Sequence, residues 1–276
     1  MIIKKRNSIN TVKPVKPFKQ INGFEIIKEI QEGTYGIVSL ARHIATGKQV
    51  VIKAIWSDLT NIGKNEVEAN LKLQHCEYIT KMLTYFKDDI DRYCLVFEFS
   101  KIGDLYNFMK NNKLGLQFNL NFTKKVIRDV ALGLKCCHEN RICHRDIKSE
   151  NILLFSGADN KVRFKLCDLG LMSYSNDKIT GSMGTSNFMA PDMNHKKPYF
   201  CDKTDMWSLG ILTYYIFFFE FPYEGIFKQA YASKIRSKIK VIKNDSMRDF
   251  ISHLLDINQE KRLTVFQVLE HPFLKK

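Results

Sequence analysis

No two cysteines in this chain form a C-x-x-C pair, although there are seven of them, at 76, 94, 136, 137, 143, 167 and 201. An odd, scattered set offers neither a zinc spacing nor the framework of a small secreted scaffold. It fits a reducing compartment with the thiols unpaired. Long apolar runs are missing as well. Residues 211–219 are the most apolar stretch, but Glu220 ends it, far short of the ~20 residues a membrane span needs. A buried core helix is the expected use. The start, Met1-Ile2-Ile3-Lys4-Lys5, lacks the apolar segment of a signal peptide. There are no internal repeats and no low-complexity tract, which excludes solenoids and biased tails. Acids are absent from the first 22 positions, which carry Lys4, Lys5, Arg6, Lys13, Lys16 and Lys19. Residues 1–22 therefore read as a solvated basic arm, with a nuclear-targeting or nucleic-acid-touching segment as the minority reading. The expectation is an intracellular protein, cytoplasmic or nuclear, neither secreted nor membrane-spanning.

What is present is a chain of 276 residues, 45% hydrophobic, enough for one large domain or two lobes and too apolar for wholesale disorder. Lysine and arginine number 43 against 29 acids, a net +14. That charge points to acidic partners, to a nucleotide, or to loose nucleic-acid affinity. Residues 24–30 and 37–41 read as strands around the turn Glu32-Gly33-Thr34-Tyr35-Gly36, and residues 50–55 as a third strand carrying Lys53. Residues 65–74 read as a helix and 93–99 as a buried strand. From Leu105 onward the pattern is mostly helical, with helices expected over 122–138, 205–219, 247–255 and 265–269. A strand-rich front third and a helix-rich remainder imply an α+β fold of two lobes, 23–99 and 100–276, joined near Glu98-Phe99-Ser100.

The densest chemistry lies in His144-Arg145-Asp146-Ile147-Lys148-Ser149-Glu150-Asn151, followed by Asp168-Leu169-Gly170. Phosphoryl transfer needs a carboxylate to orient the attacking hydroxyl, a cation beside the transferring group, and oxygen ligands that hold Mg²⁺ on the phosphates. Asp146, Lys148, Asn151 and Asp168 supply these in the order and spacing required. Lys53, a charge inside an apolar strand, is costly unless paired. Glu66 is the better candidate partner and Glu68 the runner-up, because residues two positions apart on a helix point roughly 200° apart and only one can face the lysine.

These motifs resemble a eukaryotic-type protein kinase catalytic domain of the Ser/Thr class, matched from about Phe24 to Leu274 with almost nothing outside the match. A compact Lys/Asn/Ile-rich chain of this kind is also loosely similar to the small kinases of insect large DNA viruses. The resemblance implies a small β-rich N-lobe, a larger helical C-lobe, ATP, and Mg²⁺ or Mn²⁺. It implies that the stretch from Ile30 to Val38, with Gly33 and Gly36, covers the ATP phosphates, and that Val38 roofs the adenine. Gln31 stands where the family's first glycine belongs, and a side chain there is expected to restrict loop closure and weaken ATP binding. Lys53 is implied to hold the α- and β-phosphates while Glu66 fixes it, and main-chain groups of Glu98 and Ser100 to pair with the adenine edge. Asp104 falls near the ribose and the substrate entrance. Asp146 becomes the base or hydroxyl-orienting group, Lys148 the cation on the transferring phosphate, and Asn151 and Asp168 the metal ligands. Thr185 should hydrogen-bond to Asp146 and Lys148, and Asp205 should anchor the catalytic loop structurally.

Several positions depart from the family. Leu169 replaces the usual Phe, and Asn70 a packing Leu or Met. Asp192 replaces the Glu that pairs with a late arginine, here Arg262, so that pair is expected to shift or lengthen. Arg145 beside Asp146 is the arrangement that grips a phosphorylated loop. Thr180 and Ser182 flank the usual site, but Gly181 occupies it, so activity is expected to depend little on loop phosphorylation. The expected partners are proteins with Ser/Thr in Arg- or Lys-rich context, because Asp104 and Glu150 match acidic positions that receive arginine before the phosphoacceptor. The alternatives are an inert scaffold of the same fold, motivated by Gln31, Asn70 and Asp192, and a nucleic-acid-binding protein driven by the charge.

Overall fold

The computed structural model describes residues 20–275 apart from 113–118, 158, 160, 175–179, 182, 195–197, 227 and 229–230. Most of the basic arm, and Ser182, therefore lie outside the described residues. The chain divides into two compact units. One runs to Gln74 and takes in Lys81–Phe99; the other comprises His75–Thr80 and everything from Ser100 onward.

The first unit holds β1 (Gln20–Ile21), β2 (Phe24–Gly33), β3 (Gly36–His43), β4 (Gln49–Ile55), α1 (Thr60–Lys72), β5 (Met82–Lys87) and β6 (Tyr93–Glu98). Its strands form one sheet in the order β1-β2-β3-β4-β6-β5, every neighbouring pair antiparallel. Strand alternation sorts the core onto two faces. Cys94 and Val96 pack with Phe24, Ala41, Val50 and Ile52 on one side. Leu95 turns to the other and meets Ile55 and Val67 of α1, each such side chain contributing about 1.5–3 kcal/mol by burial. Helix α1 begins five residues before the expected 65, entered through a short 3₁₀ turn at Ser57–Leu59. Its first turn, Thr60-Asn61-Ile62-Gly63, hides the signal because Gly63 looks like a breaker. A Cβ at Gly63 would lie 2.8 Å from the Tyr93 ring, so the glycine serves packing.

The second unit contains α2 (Leu105–Asn111), α3 (Leu120–Glu139), β7 (Ile142–Cys143), β8 (Ile152–Ser156), β9 (Val162–Leu166), β10 (Ser173–Tyr174), α4 (Cys201–Phe218), α5 (Tyr231–Lys240), α6 (Asp245–Leu254), α7 (Val265–Glu270) and α8 (Pro272–Lys275). Asn119 caps α3 by accepting the Phe122 amide, and Thr123, Val126, Ile127, Val130, Ala131, Leu134 and Cys137 form its buried stripe at helical spacing. Helix α4 is buried along nearly its whole length, which explains the apolar run at 211–219. No helix of the described residues is long and apolar enough to cross a membrane. Strand β7 pairs with β10 and β8 with β9, two short ribbons that frame the loops carrying Asp146 and Asp168.

The cysteines correct the sequence reading. Cys76 bonds to Cys136 and Cys143 to Cys201, with Cα–Cα distances of 6.3 and 5.9 Å. Cys94, Cys137 and Cys167 form no disulfide. Partners 60 and 58 residues apart leave no local spacing to read, and the cysteine pattern no longer argues for a reducing compartment. Burial pushes the Cys94 thiol up to about 12.

Candidate active site

In the first unit, Lys53 in the middle of β4 meets Glu66 of α1. Its Nζ donates to both carboxylate oxygens at 2.7 Å, with the two side chains 12% and 1% exposed. Glu68 is exposed and lies 3.9 Å from Lys64 instead, which settles the choice between the two acids. Asn70, one turn beyond Glu66, donates its side-chain N–H to the Glu66 carbonyl at 2.8 Å. The departure from an apolar residue at that position is thus satisfied inside the helix.

The glycine-containing turn joins β2 and β3, with Gly33 paired to Gly36 and Gln31 to Val38. The two glycines do different work. A Cβ on Gly36 would sit 2.0 Å from the Ala54 carbonyl oxygen, so Gly36 is required by the neighbouring strand. A Cβ on Gly33 would meet nothing nearer than Gln31 Nε2 at 4.0 Å. Gly33 therefore leaves open space beside its backbone, the room an anion needs to approach the amides. Trp56 pins this turn, its indole N–H donating to the Gly33 carbonyl at 3.2 Å; no motif flagged it. Gln31 is in extended strand conformation and exposed, so the expectation of a side chain forced into a glycine turn is corrected. Ile30 is half exposed beside a bulge in the same strand.

In the second unit three sequence-selected residues, Thr185, Lys148 and Asn151, converge on the carboxylate of a fourth, Asp146. Asp146 Oδ1 accepts the Thr185 hydroxyl at 2.9 Å. Oδ2 takes Lys148 Nζ at 2.7 Å and Asn151 Nδ2 at 2.9 Å. Lys148 also donates to Thr185 Oγ at 2.9 Å, and Asn151 to the Asp146 carbonyl at 2.9 Å. An ionised carboxylate offers about four lone-pair directions. Among the described residues three are occupied, and the one left, on Oδ1, can accept the hydroxyl of an attacking group.

The loop is held from beneath by Asp205 of α4, which is fully buried. Its oxygens accept the main-chain N–H groups of His144 at 2.9 Å and Arg145 at 2.8 Å, and His138 Nε2 lies 2.9 Å away. These bonds offset the strain of Arg145, whose φ of 68° lies in the left-handed region. His144 donates from Nε2 to the Cys167 carbonyl at 3.0 Å, tying this loop to the next. There Asp168 also has a left-handed φ, 67°, and its Oδ1 accepts the Gly170 amide at 3.1 Å. Asn151 has committed its amide nitrogen to Asp146, so its carbonyl oxygen is the atom left to ligate. An amide oxygen and a carboxylate form a hard, oxygen-only donor pair suited to Mg²⁺ or Mn²⁺.

Arg262, 0% exposed, contacts Asp192 at 2.6 Å, so the expected lengthening does not occur. Burial lowers the guanidinium's pKa, and Asp192 opposes that shift. Glu98 closes β6, its carboxylate accepting the Lys81 amide at 2.9 Å. The Ser100 hydroxyl donates to the Leu154 carbonyl and accepts from Gly103 N–H at 3.0 Å, leaving its main chain as the part a ligand could use. Asp104 caps α2, with Oδ1 on the Asn107 amide at 2.8 Å and Oδ2 on its side chain at 2.7 Å. Glu150 is exposed and accepts the Ser149 hydroxyl at 2.9 Å. Elsewhere, Asp249, His253 and His271 gather in a group that resembles a metal-ligand set. However, His271 Nδ1 accepts the Phe273 amide at 3.1 Å, so its Nε2 carries the proton facing Asp249 at 3.0 Å. That is a hydrogen-bonded pair, not a ligand pair.

A Lys–Glu pair on a strand and helix, and a carboxylate network above a buried aspartate, are the parts of a phosphotransferase. The chain belongs to the protein kinase domain family, which it matches over residues 24–274. It is 33% identical to an Aurora kinase of Schizosaccharomyces pombe, over 93% of this chain and 72% of that protein. It is 31% identical to Aurora kinase C of Mus musculus, over 93% of both chains. A carbon catabolite-derepressing protein kinase of Candida tropicalis is 28% identical over 95% of this chain but only 42% of its own length. The fold is the two-lobed α+β kinase fold, and the protein is an ATP-dependent Ser/Thr protein kinase.

Proposed function

We propose that Asp146 orients the substrate hydroxyl and accepts its proton, that Lys148 neutralises the transferring phosphoryl, and that Thr185 holds both in register. The single observation that carries this reading is the one lone pair remaining on Asp146 Oδ1. Lys53, fixed by Glu66, holds the α- and β-phosphates; Gly33 supplies the open backbone, Gly36 and Val38 the strand behind it. Glu98 and Ser100 serve the adenine through their main chains, and Asn151 and Asp168 hold the divalent cation. When bound, that cation neutralises charge on the phosphates.

The acceptor is a protein Ser or Thr preceded by Arg or Lys. Glu150 supports this, because it is exposed and, among the described residues, its carboxylate is engaged only by a neighbouring serine. Glu150 also lies near enough to Tyr215 to help burial push that phenol up to about 12. Asp104 contributes less, since Asn107 already takes both of its oxygens. Local charge at the peptide outweighs the overall +14, which salt screens beyond roughly 8–10 Å. Direct nucleic-acid binding is the disfavoured alternative. The test is kcat/KM, with Mg²⁺ and then Mn²⁺, for paired peptides differing only in Arg or Glu before the serine. The Arg peptide should win, and Glu150→Ala should erase the difference; a preference for the Glu peptide overturns the basic-context reading while leaving the kinase intact.

A further inference from the structure

We propose that Tyr199 is a positioning residue for phosphoryl transfer, tethering the segment that carries Thr185 to the arginine of the catalytic loop without any phosphate. The inference rests on the role given above to Thr185. The Tyr199 hydroxyl donates to the Gly181 carbonyl at 2.8 Å and accepts from Arg145 Nη2 at 3.4 Å. Tyr199 is 1% exposed. Burial pushes its pKa up, with Arg145 opposing, so the phenol keeps the proton it donates.

Three features make this tie matter. Gly181 and Gly184 both have left-handed φ, 96° and 110°, and glycine loses more backbone freedom on ordering than any other residue. A segment with two such positions does not fix itself. Next, Thr185 is only four residues beyond Gly181, and four residues reach at most ~14 Å, so anchoring one limits the other. Gly184 adds a second restraint, because a Cβ there would lie 2.7 Å from the Arg145 carbonyl oxygen. Finally, Tyr199 stands two residues before α4, the helix whose Asp205 holds the His144 and Arg145 amides. Helix α4 thus holds the Asp146 loop through Asp205, and the residues leading into it hold Gly181 through Tyr199. Arg145 Nε is buried with no hydrogen-bond partner among the described residues, so losing the phenol would further strand this guanidinium.

The experiment is a double-mutant cycle with Tyr199→Phe and Thr185→Ala, measured on a serine peptide after phosphatase treatment. Tyr199→Phe should lower kcat about tenfold, the value of one lost hydrogen bond. The KM for ATP should stay within about twofold of the parent's, because the tether touches no nucleotide-binding group. Amide exchange at residues 181–185 should rise. In the Thr185→Ala background Tyr199→Phe should cost nothing further, which a merely structural role would not produce. Should Tyr199→Phe fold poorly, the wild type still decides: with a 13C label on the Gly181 carbonyl, its chemical shift must carry the downfield signature of an accepted hydrogen bond without phosphate. Unchanged kcat in Tyr199→Phe, additive losses, or a Gly181 carbonyl with no such signature each overturn the tether. A normal kcat in Thr185→Ala removes the role of Thr185 itself, and the inference with it.

Discussion

The glycine hairpin of the first unit and the Asp146 loop of the second are built on opposite plans. The hairpin is exposed, held by its strand pairing and by the Trp56 bond to Gly33. The Asp146 loop is buried, and nearly every polar atom in it is fixed by another, down to the two amides on Asp205. A loop that must close on a ligand is drawn from the weakly held end of a structure, whereas a proton acceptor must be placed to within fractions of an ångström. If that contrast is right, substitutions in the second loop should cost turnover, and stability as well where they orphan a buried group, whereas those at the open positions of the hairpin should cost mainly nucleotide affinity.

The largest effect is expected at Asp146. Asp146→Asn keeps the shape but loses the charge and the free acceptor position, and should lower kcat by about 10²–10⁴-fold with the melting temperature nearly unchanged. Near-normal turnover at the same Mg²⁺ concentration would refute the assignment. Asp205→Ala comes next. It orphans the buried amides of His144 and Arg145, at about 1–3 kcal/mol each, and releases a left-handed arginine. Thermal unfolding should move down by about 2–4 °C per kcal/mol, and kcat should fall with it. A variant that loses neither would mean the loop holds its own conformation.

This contrast also governs what could be read from the sequence. The Asp146–Asn151 motif was legible because its side chains come at the intervals phosphoryl transfer calls for, and Lys148 and Asn151 do meet at the Asp146 carboxylate. Asp168 was legible in the same way and sits on the next loop, bonded to the Gly170 amide. Of the long helices, α3 was legible from periodicity and α4 from its apolar run, apart from their first turns. Helix α5 was not, since only Ala232, Ile235 and Ile239 are buried among its basic residues. Contacts that cross the chain, Trp56 to Gly33, Tyr199 to Gly181 and the two disulfides, carry no local signature. The same applies to Gly36, where the motif suggests phosphates and the structure adds a strand that needs the space.

The two hairpin glycines sharpen the comparison, because the motif treats them alike. Gly36→Ala drives a methyl to 2.0 Å from a main-chain oxygen and should destabilise by about 1–3 kcal/mol, as overpacking does. Gly33→Ala meets open space, should change stability by less than about 0.5 kcal/mol, and should raise the KM for ATP several-fold. Thermal melts beside ATP titrations separate the two. Equal melting temperatures would show that β4 can yield.

Gln31→Gly should have the smallest effect. From sequence alone, restoring the family's glycine ought to tighten ATP binding, because a side chain would obstruct a turn made for glycine. The structure places Gln31 before the turn, extended and paired with Val38, so there is no backbone strain to relieve. Its amide lies 4.0 Å from the space beside Gly33, near enough to flank a phosphate without filling that space. Glycine in a strand costs roughly 0.5–1 kcal/mol in conformational freedom, and here that loss falls on an exposed hairpin with few other restraints. The KM for ATP should therefore rise about twofold, since 1.4 kcal/mol would be tenfold and only part of the entropy is recovered on binding. A several-fold fall in KM would show instead that the glutamine side chain obstructs the phosphates, and that the hairpin is limited by sterics rather than by order.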